Sequence, residues 1–223
     1  MRIIAGSLKG RRLDPPTWEG LRPTSDKLRE TLFNVLAPRI RDARVLDGYA
    51  GSGAVGIEAW SRGAAQVTFV ERDPRACALI EANLKRCGVA ERYAIIRAGF
   101  AGTERLTGGD PFDVIFLDPP YGPGELSGAL DSAERLVGPD TLLVVEHAKR
   151  DASPEASGAL VRTRTLTSGD SALAFYRLRR LAEGTEDAEQ TSARNAETRT
   201  FDEADKSSAF VRAGRRRPGT RPS

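Results

Sequence analysis

Asp118-Pro119-Pro120-Tyr121 follows the apolar run Val114-Ile115-Phe116-Leu117, which places a carboxylate, proline-restrained carbonyls and an aromatic ring at the carboxyl tip of a buried strand. These groups suit the capture of a planar ring bearing an exocyclic amine. Such an amine is a poor nucleophile because its lone pair is delocalised into the ring. If the Asp118 carboxylate and the Pro119 carbonyl accept its two hydrogens, the nitrogen is drawn towards a tetrahedral arrangement and its lone pair is aimed at an electrophile. Pro120 stiffens the turn, and Tyr121 can stack on a base extruded from a nucleic acid. The residues alone leave open whether Asp118 takes the proton or only orients the amine.

A second group supplies a place for the electrophile. In Asp47-Gly48-Tyr49-Ala50-Gly51-Ser52-Gly53-Ala54-Val55-Gly56, residues 51–56 fit the dinucleotide spacing G-x-G-x-x-G. An acid ends the preceding strand, however, and three residues separate it from Gly51. That loop is better matched to a ligand with an amino acid end: Asp47 attracts the ammonium, and backbone N–H groups from Ala50 to Gly53 take the carboxylate. Glu71, followed by Arg72, ends the next apolar run and can accept both hydroxyls of a ribose. S-adenosylmethionine contains both parts. A nicotinamide-dependent oxidoreductase is the competing reading of the glycines, and titration with either cofactor separates the two.

Alternating strands and helices position these groups. Val45–Asp47, Val67–Glu71, Tyr93–Arg97, Asp113–Leu117 and Leu142–Glu146 read as strands. Helices run from Ala54 to Arg62, from the Asp73-Pro74 cap to Cys87, and from Glu125 to Leu136, with Gly63, Gly88 and Gly138 as stops. The pattern predicts an α/β fold with a mostly parallel sheet, closed by an antiparallel hairpin over 159–178. Ligands collect at the carboxyl ends of such strands, so Asp47, Glu71 and Asp118 should face one crevice. Ahead of this lies a small hairpin from Ile3 to Leu13, then a helix opened by Arg22-Pro23-Thr24-Ser25-Asp26 with Leu28, Leu32, Val35 and Leu36 at helical spacing.

Three segments are therefore expected: an appendage over 1–41, a catalytic domain over 42–181 and a charged, disordered tail over 182–223. The 223 residues carry a net charge of +3, but residues 1–44 hold ten basic against five acidic side chains. That local excess suits a polyanion. Two cysteines and one histidine assemble no zinc-type site, and Cys77 and Cys87 should be free. With no apolar run long enough to span a bilayer and no secretory leader, a cytoplasmic protein is expected, with no membrane or metal partner. His147, the only imidazole, reads as structural; Trp18 and Trp60 read as packing residues.

Resemblance narrows the reading. Arg2 to Gly6 with Gly10 to Leu13, then Leu21 to Asn34, Leu46 to Gly53, Glu58 to Ala64 and Asp118 to Tyr121 resemble the bacterial small-subunit rRNA guanine-N2 methyltransferase family over about residues 1–181. The resemblance implies a Rossmann-like class I S-adenosylmethionine-dependent methyltransferase with a seven-stranded sheet. It further implies N2-methylation of one guanine of 16S rRNA (position 966 in customary RNA numbering), within a partly assembled small subunit, by a monomer. It assigns RNA binding to Arg2, Lys9, Arg11, Arg12, Arg22 and Thr24. Two positions depart from the family pattern. Gly99-Phe100 stands where an acid or amide often meets the adenine amine, so adenine recognition would rely on backbone and on Phe100. Tyr49 replaces a common Phe and keeps an aromatic wall. The same tetrad also occurs in DNA adenine and protein amide N-methyltransferases. A non-catalytic RNA-binding assembly factor is the alternative of another class, and the intact Asp118 argues against it.

Overall fold

The computed structural model describes residues 1–18, 24–109, 111–122 and 124–179. Arg22 and the expected tail over 182–223 lie outside the described residues. Met1–Arg179 forms one unit of the chain.

Helix α1, Asp26–Ile40, starts where Ser25 Oγ accepts the Leu28 N–H, and it buries Leu28, Leu32, Leu36 and Ile40 at a spacing of four. β1 (Arg44–Asp47) leads through the glycine loop into α2 (Ala54–Ser61), and β2 (Gln66–Glu71) leads into α3 (Pro74–Cys87). α3 has a side-chain cap at Asp73, proline in its first turn and a left-handed Gly88 at its end. β3 (Tyr93–Arg97), β4 (Val114–Leu117), α4 (Glu125–Ala133) and β5 (Leu142–Ala148) follow, then β6 (Ala156–Ser157), β7 (Leu160–Ser168) and β8 (Ser171–Leu178).

The sheet order is β3-β2-β1-β4-β5-β8-β7-β6, parallel from β3 to β5 and antiparallel thereafter. It has eight strands, not the expected seven. The extra one, β6, is two residues paired with Val161 and Leu160; so short a piece is recruited by the backbone of an open edge and leaves no periodic trace in the sequence. The N-terminal hairpin is likewise reduced to one Arg2–Arg12 bridge, held by Ile3 N–H to Arg11 O (2.9 Å) and Gly10 N–H to Ile3 O (2.9 Å).

Alternating residues of the central strands pack into two apolar layers. Val45, Phe69, Phe116 and Val144 point to the face covered by α1, α2 and α3, and Leu46, Ile115, Leu117 and Val145 point to the other. Burial of each such side chain contributes roughly 1.5–3 kcal/mol, enough to make a slip of register by one residue prohibitive. That register decides where the polar strand ends point. Cys77 and Cys87 are both buried and unbridged.

Candidate active site

Asp47 pairs with Phe116, and Glu71 lies two residues beyond Phe69, so both acids share the face of α1, α2 and α3. Asp118 and Glu146 lie two residues beyond Phe116 and Val144 and keep the same parity. All four line one cleft of about 1220 Å³ at the carboxyl ends of the strands. Sequence reasoning placed three of them there and missed the fourth. Glu146 carried the same signal as Glu71, a lone acid ending an apolar run.

On one side of the cleft stands the glycine loop. Gly51 (φ 54°) and Gly53 (φ 76°) occupy left-handed conformations that side chains disfavour, and a Cβ on Gly48 would fall 2.2 Å from Leu117 Cδ2. Asp47, 2 % exposed, accepts the Gly56 N–H at 2.9 Å and braces the first turn of α2. Burial pushes its pKa up to about 7, with the Gly56 bond opposing and Glu71 adding to the rise. Glu71 accepts the N–H groups of Gly51 and Asp73, both at 2.9 Å. Asn83, buried on α3, donates to Ser52 O at 3.0 Å and so steadies the loop from behind.

Tyr49, Ala50, Gly51, Ser52, Arg72 and Gly99 also border the cleft. Phe100 is buried beneath Tyr49, with ring centroids 5.3 Å apart. The Thr103 hydroxyl, unnoticed in the sequence, donates within the Gly99-Phe100 turn and holds its shape. Trp18 packs against Arg75, whose guanidinium is 5.0 Å from its ring centroid, and also borders the cleft. Trp60 packs on α2 under Arg92 and donates to Glu91 O. His147 points to the opposite face from Glu146, buried, with Nδ1 3.0 Å from Ala148 O.

On the other side stands Asp118-Pro119-Pro120-Tyr121. Asp118 is held well above the usual carboxylate range by burial, then by Glu146, then by Asp47. Glu146 is also raised by burial, and the hydroxyls of Ser171, Thr24 and Tyr121 oppose that rise. Its Oε2 meets no hydrogen-bond partner. Pro119 is buried, whereas Tyr121 is 47 % exposed at the mouth.

The N-terminal segment is stapled to the helix that follows the glycine loop. Glu58 of α2, fully buried, accepts Ile4 N–H (2.7 Å), Ala5 N–H (3.0 Å) and Arg62 Nε (2.8 Å). Ser61 Oγ donates to Ala5 O and accepts the Leu8 N–H. Ile3 and Leu13 are buried, and Arg2, Lys9, Arg11 and Arg12 point to solvent. Thr24 lies in the cleft wall, and two residues on, Asp26 stands 4.0 Å from Arg2 Nε.

The chain matches, over residues 1–177, the family model described as conserved hypothetical protein 95. It is 39% identical over 186 residues to a putative rRNA methyltransferase of Bacillus subtilis, covering 80% of this chain and 100% of that protein. The chain belongs to this family. The ribosomal RNA small subunit methyltransferase D of Escherichia coli is 36% identical over 198 residues, covering 85% of this chain and 94% of that one. A solved structure of a putative methyltransferase from Escherichia coli superposes with a TM-score of 0.69 at 35% identity, over 81% of this chain and 99% of the other. The fold is thus that of the class I S-adenosylmethionine-dependent methyltransferases, and the chain is a methyltransferase. The cleft fits that donor: left-handed glycines bring backbone close to a ligand, Asp47 and Glu71 offer acceptors, and Tyr49 and Phe100 add aromatic lining.

Proposed function

We propose that this chain methylates the N2 amine of a guanine in 16S rRNA, at position 966, within a partly assembled small subunit. The observation that carries the reading is the placement of Asp118 and Tyr121 in the same cleft as the Glu71-braced glycine loop, so that an amine held at one end faces a donor held at the other. The relatives named as an rRNA methyltransferase and as a small-subunit rRNA methyltransferase support the choice of RNA.

When bound, the donor supplies a methyl group already activated on a sulfonium. Asp118 and the Pro119 carbonyl accept the two amine hydrogens and free the lone pair from the ring. Tyr121, exposed at the mouth, stacks on the extruded base. As the new N–C bond forms, the nitrogen must shed a proton, and the raised pKa of Asp118 makes it the acceptor at hand. Positioning of this kind is worth about 7–11 kcal/mol of barrier. Arg2, Lys9, Arg11 and Arg12, exposed on a segment anchored by Glu58, meet the RNA backbone. Among the described residues no helix is long and apolar enough to cross a membrane.

Mass mapping of small-subunit RNA from a strain lacking the gene tests the reading. Loss of a single N2-methylguanine, restored by the intact gene, is the expected result; an unchanged modification pattern rejects it.

A further inference from the structure

Glu146 stands beside Asp118, one step past the Leu117–Val145 pair of two adjacent parallel strands and on the same face. Its side chain is 4 % exposed and borders the cleft, yet Oε2 has no hydrogen-bond partner. Leaving such an acceptor buried and unsatisfied costs about 1–3 kcal/mol, more for a charged group. Nothing in the fold requires it, since an apolar residue would continue the run Leu142–Val145. The neighbours on offer are hydroxyls: Thr24 ahead of α1, Ser171 at the start of β8, and Tyr121. Of these, Tyr121 is 47 % exposed, with its hydroxyl 3.5 Å from Ser171 Oγ.

We propose that Glu146 reads the acceptor base as guanine by accepting its N1–H. The inference rests on the N2-guanine reading above and deepens it. The Watson–Crick edge of guanine next to the reacting amine carries three N–H hydrogens, two on N2 and one on N1. The cleft wall carries three acceptors in one place: Asp118, the Pro119 carbonyl and Glu146. When Tyr121 turns onto the base, the N1–H meets the unpartnered Oε2 of Glu146. Adenine and cytosine present a lone pair beside their amine, which would face the Glu146 carboxylate without a hydrogen between them. A pocket built to pair a donor rejects the analogue that lacks it far more sharply than an apolar pocket rejects a missing methylene.

The test compares guanine with 2,6-diaminopurine at the target position of a reconstituted small-subunit particle. Both bases carry the C2 amine, but only guanine has an N1–H. The full-length wild-type protein is expected to prefer guanine by at least about tenfold in kcat/KM. Glu146→Gln, whose carboxamide can donate to an N1 lone pair, should bring that ratio to near one or invert it; Glu146→Ala should lower guanine methylation and flatten the ratio. A general loss of structure would depress both bases equally, and melting curves with S-adenosylmethionine binding identify it. A wild-type ratio near one, or an unchanged ratio in Glu146→Gln, overturns the assignment. Failure of the wild-type protein to methylate guanine at all would instead overturn the function on which it rests.

Discussion

Glu71 accepts the Gly51 N–H through Oε2 and the Asp73 N–H through Oε1, so one carboxylate ties the glycine loop to the start of α3. Any ribose that Glu71 binds is therefore held by a group whose own position is set by two backbone donors. Glu71→Ala should weaken S-adenosylmethionine binding by at least about tenfold, since both a ligand contact and a loop brace are lost. Titration calorimetry reads this directly, and an affinity within twofold of wild type removes Glu71 from the donor site.

Asp118→Ala should abolish methyl transfer and leave S-adenosylmethionine affinity within a few-fold, because the proposed function gives the residue to the acceptor amine. The wild-type rate should fall with decreasing pH as Asp118 takes up a proton. Burial, Glu146 and Asp47 all raise its pKa, so the acid limb should lie well above the ordinary 3.8. Single-turnover rates across pH measure it; a limb near 4 would mean that Asp118 is not the group that titrates.

Asp47 makes a stability prediction of opposite sign to the usual surface acid. Its folded pKa of about 7 exceeds the 3.8 of the unfolded chain, so the folded state holds the proton more tightly. The stability this group lends is complete below about 3.8 and is lost as pH rises to about 7. Asp47→Asn, which keeps an acceptor for Gly56 but cannot ionise, should gain on wild type across that window. The difference should level off above it at up to about 4 kcal/mol. Calorimetric melting at pH 4, 6 and 8 gives the trend, and a gap independent of pH refutes it.

Glu58 is fully buried and holds two N-terminal amides and Arg62. Glu58→Ala should destabilise the fold by about 3–5 kcal/mol, because it strands those donors and the Arg62 charge. Hydrogen exchange at Ile4 and Ala5 should accelerate before global unfolding. Unaltered protection there would mean that the segment is held by Ile3 and Leu13 alone.

Charge reversal at Arg11 and Arg12 should weaken RNA association and make it less salt-dependent, with little effect on melting, since both side chains are exposed. Binding measured between low and moderate salt tests this; an unchanged slope takes the N-terminal segment out of the RNA interface.

Much of this architecture was legible because local signals agreed. The Asp73-Pro74 cap and the Gly88 stop bounded α3 to the residue, and the Ser25 cap opened α1 as expected. β6 escaped notice because edge pairing needs only a free backbone. Glu58 and Asn83 escaped because polar residues on a helix usually face water; only contact with Ala5 and Ser52 reveals their work.

By itself, the sequence determined the succession of strands and helices, the acids at the strand tips and the glycine loop, since each follows from spacing within a few residues of chain. The tertiary structure alone decided which of those tips share a face. Strand order and register bring Glu146 beside Asp118 across 28 positions of chain, and burial of both raises the affinity of the pair for protons. Such juxtaposition depends on hydrogen bonds between strands distant in sequence, and no local pattern of residue types encodes it.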